Sequence, residues 1–493
     1  MGNNSDKKIY VEDKKEIPIV REYDVIVVGG SQSGVAAAIC AAREGAKVLI
    51  VERNCFLGGQ SVGTMVVQWE KRAFINNLGA VATRGIAKEM LDRIIALGGS
   101  DKLWEDPPGC EEMRDGEEWL DAEAVKIVLL RMCLEEKVDL LFDTLCVGAM
   151  MDKASSNPKV NGIIIENKSG RQALSAKVVI DASAYLDIVW FAMGEEGVII
   201  REPMQRMGPG WQTLYGGVDS EKFVDYIINN RVCSGYPSLL NPEKVRKHLE
   251  TGRLISLRGY ANVLDKAYDE GMLDDWPEER MGMPIGIGTN WWGKDRWASS
   301  IGHFRIQDAL DAWALSQAEI DRQYVAWKYL EILRMIPGWE NAYIARSSVR
   351  LGLRETRILK AVTMLTRKDI FEPDHERKDA VGRSGAHDPG KNRLWKAYPI
   401  PYGIIVPETL DGVLCCSRTI GAADKTALDA HRGITPTIVV GQAAGTAAAL
   451  AVKNKVEPRN VDVQELREIL RKNDVVLDAE TVELDTIPDR YRK

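Results

Sequence analysis

Residues 23–59, YDVIVVGGSQSGVAAAICAAREGAKVLIVERNCFLGG, constrain this chain more than any other stretch. An apolar run (Val25–Val28) enters a glycine turn, an alanine-rich helix follows, and a second apolar run (Val48–Val51) ends on Glu52. Short apolar runs on either side of a helical stretch predict a buried parallel β-α-β unit. The spacing Gly29-x-Ser31-x-x-Gly34 is the dinucleotide fingerprint with serine at its middle glycine. Gly29 serves the tight turn, and Gly34 lets helix and strand pack closely. The backbone of Gly30, Ser31 and Ser33 at the helix start would face a pyrophosphate, which the helix dipole favours. Glu52, 23 residues beyond Gly29, stands where a carboxylate accepts hydrogen bonds from an adenosine ribose.

A chain of 493 residues, 45% of them hydrophobic, predicts two or more structural units with a large core. Lys+Arg of 65 against Asp+Glu of 72 gives a net charge of −7, which argues against a nucleic-acid surface. No apolar run approaches the roughly 18 residues of a membrane helix. The polar first 20 residues contain no signal-type apolar stretch, so no membrane association and a cytoplasmic location are expected. Eight cysteines contain no C-x2-C pair, which argues against iron–sulfur and structural zinc sites. No metal site is expected, and Cys55 reads as a small buried apolar residue.

Helical spacing marks residues 85–97 and Asp121–Leu134, with a loop rich in charge, proline and glycine between them. Val138–Phe142 reads as a buried strand. Short strands follow around Cys146–Met151, Gly162–Glu166 and Gln172–Leu174, the last two joined by the turn Asn167–Gly170, and Val178–Ile180 is a further strand. Asp308–Met335 is a helical run on which Trp313, Trp327, Leu330 and Leu333 read as core.

After Glu52, the run Glu52-Arg53-x4-Gly58-Gly59 resembles the GG extension of glutathione-reductase-like and fumarate-reductase-like flavoproteins. The segment Val179-Ile180-Asp181-Ala182-Ser183-Ala184-Tyr185-Leu186-Asp187 resembles V-I-D-A-T-G-D-G-D of the FAD-dependent oxidoreductase family, with Ala184 and Leu186 in place of glycines. Gly352-Leu353-Arg354-Glu355-Thr356-Arg357, Leu414–Arg418 and Arg432–Ala449 resemble that family's G-V-R-E-T-R, L-L-V-A-G-R and R-x-x-P-T…G-Q-A-A-G-T-A-A-A segments. The resemblance implies FAD as cofactor, with Arg53, Gly58, Gly59 and Asp181 added to its binding residues. The implied fold is α/β. A Rossmann-like FAD-binding domain, a parallel sheet with a small antiparallel β-meander, carries an inserted α+β substrate domain. Expected boundaries are a polar leader (1–20), an FAD domain from both ends of the chain (21–200 and 399–455), a substrate or cap region (201–398) and a C-terminal helix and tail (456–493). The redox disulfide of the glutathione-reductase type is absent.

Thr435-Pro436-Thr437 reads as a helix start, with a capping threonine and proline in the first turn. Small residues from Gly441 onward let a backbone or cofactor lie close, and the helix's positive end would favour an electron-rich flavin edge. His387, in a loop beside Asp388, and His431, beside Arg432, are the leading proton-transfer candidates, with His303 third. Arg354, Arg357 and Arg418 are candidates for clamping a carboxylate or the flavin. Asn290–Trp297, rich in tryptophan, reads equally as a stacking surface and as a hydrophobic lid. These features together predict hydride transfer between flavin and a small organic substrate, favouring oxidation of a hydroxyl-bearing carbon in a sugar, polyol or hydroxy acid. Reduction of an activated C=C bond and a non-redox or electron-carrier flavoprotein are the alternatives. With no second dinucleotide fingerprint in the sequence, a separate electron donor or acceptor is expected.

Overall fold

The structure is a computed structural model that describes residues 10–70, 83–100, 117–152, 154–155, 157–202, 206, 208–230, 256–259, 261–277, 287–291, 295–301, 308–372, 377–385 and 397–478. Its first layer is a seven-stranded sheet. Strand β1 (Ile19–Val28) is exposed in its first half and buried in its second, the half that the apolar run marks. Helix α1 (Gln32–Arg43) and strand β2 (Val48–Val51) complete the β-α-β unit. Helix α2 (Ala122–Glu135), capped by the Asp121 carboxylate, leads to β3 (Asp139–Leu141). Strands β4 (Leu145–Met151), β5 (Val160–Asn167) and β6 (Gly170–Asp181) form the antiparallel meander. Helix α3 (Asp187–Met193) follows.

Strand β6 is one twelve-residue strand, where the sequence reading has two short ones. Lys177 explains the difference: it turns to solvent and pairs with Asp24 at 2.7 Å, so a polar residue interrupts the apolar run without interrupting the strand. The strand serves two neighbours. Its first half bonds the antiparallel β5, and its second half bonds the parallel β7 (Val413–Cys415). The order β3–β2–β1–β6, with β7 beyond, is parallel throughout. The carboxyl ends Leu141, Val51, Val28, Asp181 and Cys415 therefore lie along one edge, where open α/β sheets bind ligands.

Helix α4 (Ile434–Asn454) packs on α1 through small residues. A Cβ at Gly441 would lie 2.2 Å from the Ser33 carbonyl oxygen, and one at Gly445 would lie 2.0 Å from that of Ala37. The capping threonine expected at its start is replaced by Gly433, whose extended backbone precedes Ile434; Pro436 falls in the first turn, where its missing N–H costs nothing. Among the described residues, this is the one helix long and apolar enough to cross a membrane, and it is buried inside the protein.

A second core lies between residues 211 and 351. A five-stranded antiparallel sheet runs in the order Ser256–Gly259, Ile287–Trp291, Trp297–Ile301, Gln212–Gly216, Tyr343–Ser347. Trp211, Tyr215, Phe223, Trp297, Tyr329 and Trp339 fill it with the inner face of the helix Ala312–Leu333. Trp297 is thus core, with its Nε1 donating to Ser220, and Trp292 lies outside the described residues. Leu330 and Leu333 are buried as expected, but Trp313 and Trp327 are exposed. Both fall on the outer stripe of the helix, because the 3.6-residue period puts them opposite Val325 and Tyr329. Cys55 also departs from expectation: it is exposed on the loop after Glu52.

Gly445→Val places a branched side chain against the Ala37 carbonyl, and overpacking of this kind costs about 1–3 kcal/mol or more. The thermal midpoint is expected to fall by several degrees; an unchanged midpoint would show that α1 and α4 are not in backbone contact.

Candidate functional site

The fingerprint turn is built as its spacing demands. Gly29 adopts φ +109°, and a Cβ there would lie 2.4 Å from the Ala182 carbonyl. A Cβ on Gly34 would lie 2.0 Å from the Gly29 carbonyl, so no side chain fits. Ser31 needs no glycine. Its backbone is extended (φ −68°, ψ 172°), and its Oγ caps α1 by accepting the Gly34 N–H at 3.3 Å. Glu52 is buried and already partnered: Oε2 accepts the Gly30 N–H at 2.6 Å, and Oε1 accepts the Asn54 N–H and side-chain amide at 2.8 and 2.6 Å. The Gly58 N–H donates to the Gly30 carbonyl at 2.8 Å, and Gly58 and Gly59 both take positive φ, laying the second glycine pair on the first turn.

These pieces open on a cavity of about 1100 Å³, including space open to solvent. Its walls include Gly29, Ser31, Ser33, Glu52, Arg53 and Gly59 from the N-terminal part, and Ala182–Tyr185 and Asp187 from the end of β6. The C-terminal part adds Ser417, Arg418, Arg432, Ile434 and Thr437. Ser33, at the start of α1, is one of the lining residues, and its Oγ is buried with no hydrogen-bond partner among the described residues.

The electrostatics centre on Tyr185 and Asp187. The Tyr185 hydroxyl accepts from Arg350 Nη2 at 2.7 Å and Arg53 Nη2 at 3.4 Å, and the Arg53 and Arg418 guanidinium groups lie 5.1 and 5.5 Å from its ring centre. Burial works to raise the phenol, and the pull of Arg350, Arg53 and Arg418 outweighs it, leaving Tyr185 below its ordinary range. Burial draws the Arg418 guanidinium down to about 10. Burial and then the Asp181 carboxylate push Asp187 up to about 6, against the lowering effect of Arg357 and Arg53. Arg357 Nη1 lies 3.5 Å from Asp187, donates to the Tyr185 carbonyl at 2.9 Å, and its guanidinium stacks 4.2 Å from the Trp190 ring centre.

Several sequence candidates stand elsewhere. Asp181 is fully buried behind the cavity wall. Its oxygens accept the N–H and hydroxyl of Ser183 and the N–H groups of Ile188 and Val189, which ties β6 to the start of α3. Gly441 faces Ser33 in the helix contact, and Thr435 is buried off the cavity lining. Arg354 reaches the Gly208 carbonyl at 3.2 Å, and its own carbonyl accepts from Arg418 Nε at 3.1 Å. His431 is buried outside the lining; its Nδ1 bonds the Tyr398 hydroxyl at 2.9 Å, and burial lowers its pKa to about 3. His387 and His303 lie outside the described residues. Tyr185, Asp187 and Arg350 carried no sequence candidacy. Asp187 closes a motif already visible in the chain, whereas no spacing singles out Arg350.

Ala184 and Leu186 take φ +67° and +56°. The backbone keeps a conformation natural to glycine although neither residue is glycine, and it turns the intervening Tyr185 into the arginine cluster.

A family model described as FAD dependent oxidoreductase matches residues 24–470. The tRNA uridine 5-carboxymethylaminomethyl modification enzyme MnmG of Karelsulcia muelleri (strain GWSS) is 28% identical over 155 residues, 29% of this chain and 22% of that protein. The match thus spans about a fifth of that curated relative's length. A geranylgeranyl bacteriochlorophyll reductase-like protein from Thermoplasma acidophilum aligns over 92% of this chain and 84% of its own at 15% identity and TM-score 0.45. The myxobacterial halogenase CndH aligns over 92% and 79% at 11% identity, also with TM-score 0.45.

At position 184 the left-handed backbone sets the order of stability. Ala184→Gly removes a strain of about 1–2 kcal/mol, while Ala184→Val adds a β-branched side chain to it. Thermal midpoints are expected in the order Gly, Ala, Val from highest to lowest, and the reverse order would refute the positive φ.

Proposed function

The chain belongs to the FAD-dependent oxidoreductase family, with FAD as its cofactor, and we propose that it oxidises a hydroxyl-bearing carbon of a small anionic substrate, of the hydroxy-acid class, with Asp187 as the proton acceptor. The residues present fit the cofactor. Ser33 Oγ is a buried hydroxyl at a helix N-terminus with no partner among the described residues, and the turn at Gly29 and Gly34 has no room for a side chain. In this reading Glu52 holds the ribose, and the start of α1 with Ser31 and Ser33 holds the pyrophosphate. Arg53 and Arg418 complete the anion contacts, and Thr437 at the start of α4 faces the ring system. Bound FAD supplies the two-electron acceptance that alcohol oxidation requires.

One observation carries the reading: a carboxylate held at about 6 lines the same cavity as the fingerprint turn. A group poised near the working pH is mostly ionised yet still basic enough to take a hydroxyl proton. Arg357, 3.5 Å away, steadies the ionised form. His431, enclosed and neutral, lacks access to the cavity, and among the described residues of the lining we assign the base to Asp187. The anionic class draws on Arg350, which lines the cavity, is not among the residues assigned to FAD, and has no carboxylate within ion-pair distance among the described residues. A second reading draws on the same cluster. Tyr185, acidified by three arginines, suits proton donation to an enoate whose C=C bond is reduced. With one dinucleotide fingerprint in the sequence, a separate electron acceptor or donor completes the cycle in either reading.

Glu52→Ala removes a charged acceptor worth about 1.5–3 kcal/mol, so FAD affinity in a fluorescence titration is expected to fall at least tenfold. Unchanged affinity would place the ribose elsewhere. Anaerobic flavin bleaching by a panel of hydroxy acids tests the direction; bleaching by dithionite alone, followed by reoxidation with enoates, would select the reductive reading. Because the base must be ionised, the bleaching rate should rise with pH through about 6. Asp187→Asn should lower it by about 10²–10⁴-fold and lose that limb while retaining FAD. A variant with wild-type rate and profile would remove Asp187 from the proton path.

A further inference from the structure

The helix Ala312–Leu333 is anchored on one face only. Val325, Ala326, Tyr329, Leu330 and Leu333 enter the second core. On the other face Trp313, Ile320, Tyr324 and Trp327 are 87%, 59%, 44% and 62% exposed. Their spacing (i, i+7, i+11, i+14) puts them on one stripe along a helix about 33 Å long. Ser316, Gln317 and Gln323 flank it without charge. The charged residues on or beside it are engaged within the chain: Glu319 with Arg322 and the Leu351 N–H, Lys328 with Asp275, Asp311 with the helix cap, and Glu331, exposed one turn beyond Trp327 at the end of the stripe, with Lys328 at 3.8 Å. Tyr324 bonds Asp275 as well. A largely aromatic surface of this kind, with its charge confined to one end, marks a contact face.

From this arrangement we propose that the stripe is the interface of a two-fold homodimer, formed by antiparallel pairing of the helix Ala312–Leu333 with the same helix of a second copy. The spacing is self-complementary. Trp313 and Trp327 each stand seven residues from Ile320. A two-fold axis through Ile320, perpendicular to the helix, sets Ile320 against its counterpart and each Trp313 against the Trp327 of the other copy. Isologous interfaces require such a pattern, in which residue i meets j and j meets i. The four side chains leave roughly 500 Å² of their 150–250 Å² apiece open to a partner. That is well over half of the roughly 800 Å² per partner of a standard interface, and the flanking serine and glutamines extend it. A lipid surface fits less well. Interfacial helices carry free lysine and arginine on the polar face, whereas here the acids Asp311, Glu319 and Glu331 stand beside or on the stripe, Lys328 is paired with Asp275, and Arg322 is buried.

The test is sedimentation velocity of the full-length FAD-loaded protein from nanomolar to tens of micromolar concentrations. A species of twice the chain mass is expected. Ile320→Lys sets two ammonium groups together on the axis and should raise the dissociation constant at least tenfold, with the flavin spectrum and circular dichroism unchanged. Trp313→Glu and Trp327→Lys should each dissociate the dimer. The double variant should restore it, because antiparallel pairing brings each glutamate to a lysine of the other copy. A monomer at every concentration overturns the proposal. So does a dimer indifferent to Ile320→Lys, or a monomer that binds anionic vesicles through these residues.

Discussion

The Ser33 and Ala37 carbonyls of α1 lie where Cβ atoms at positions 441 and 445 would otherwise stand. With glycine there, α4 settles against the first helix at backbone distance, beside the buried Ala36 and Ala37. Much of the site depends on this seam. It brings Arg432, Ile434 and Thr437, four hundred residues away in sequence, to the turn after β1. Strand β7 adds Ser417 and Arg418 by bonding to β6, whose other partner is β1. A cavity assembled from both ends of the chain therefore forms only when the whole parallel sheet has closed. Long-range closure of this kind carries a loop-entropy cost that the apolar core must outweigh.

The cavity gathers positive charge along the carboxyl edge of that sheet. Arg53 follows β2, Arg418 follows β7, and Arg350 enters from the segment that leaves the second core. Tyr185, after β6, lies among them and accepts hydrogen bonds from two. Asp187 lies two residues on, close to Asp181, and the proximity of the two carboxylates helps lift its pKa. Neighbouring groups thus have their acidities moved in opposite directions, the phenol downward and the carboxyl upward. The proposed proton transfer would draw on this divergence.

Much of the first sheet was legible in the sequence because its elements obey local rules. Four-residue apolar runs, a glycine turn and a terminal acid give β1, α1, β2 and Glu52 their places, and Asp121 announces the helix that it caps. What stayed hidden was set by contacts across the chain. Lys177 reads as a strand break until its partner Asp24 is seen. Trp313 and Trp327 read as core because aromatic residues at helical spacing usually are, and only the packing of Val325 and Tyr329 shows which face is inward. Histidines drew attention by their general chemistry, yet His431 is sealed against Tyr398. The groups facing the cavity, Tyr185 and Asp187, depend on how β6 ends, and that is a matter of dihedral angles that letters do not display.

The end of β6 shows what the glycine-bearing motif specifies. Ala184 and Leu186 keep left-handed backbone that costs about 1–2 kcal/mol each for residues with a Cβ, and the surroundings hold them there. The Leu186 side chain is fully buried among Ile188, Val189 and Val198, which contributes about 1.5–3 kcal/mol. Asp181 and Ser183 bind the N–H groups of residues 185 and 187–189, fixing the path of the loop from within. Exchanging glycine for side chains thus preserves the turn and adds packing to it. A loop so determined has little freedom to reorient Tyr185, so the phenol is held among its arginines before any ligand arrives, and binding need not include the entropy of ordering it.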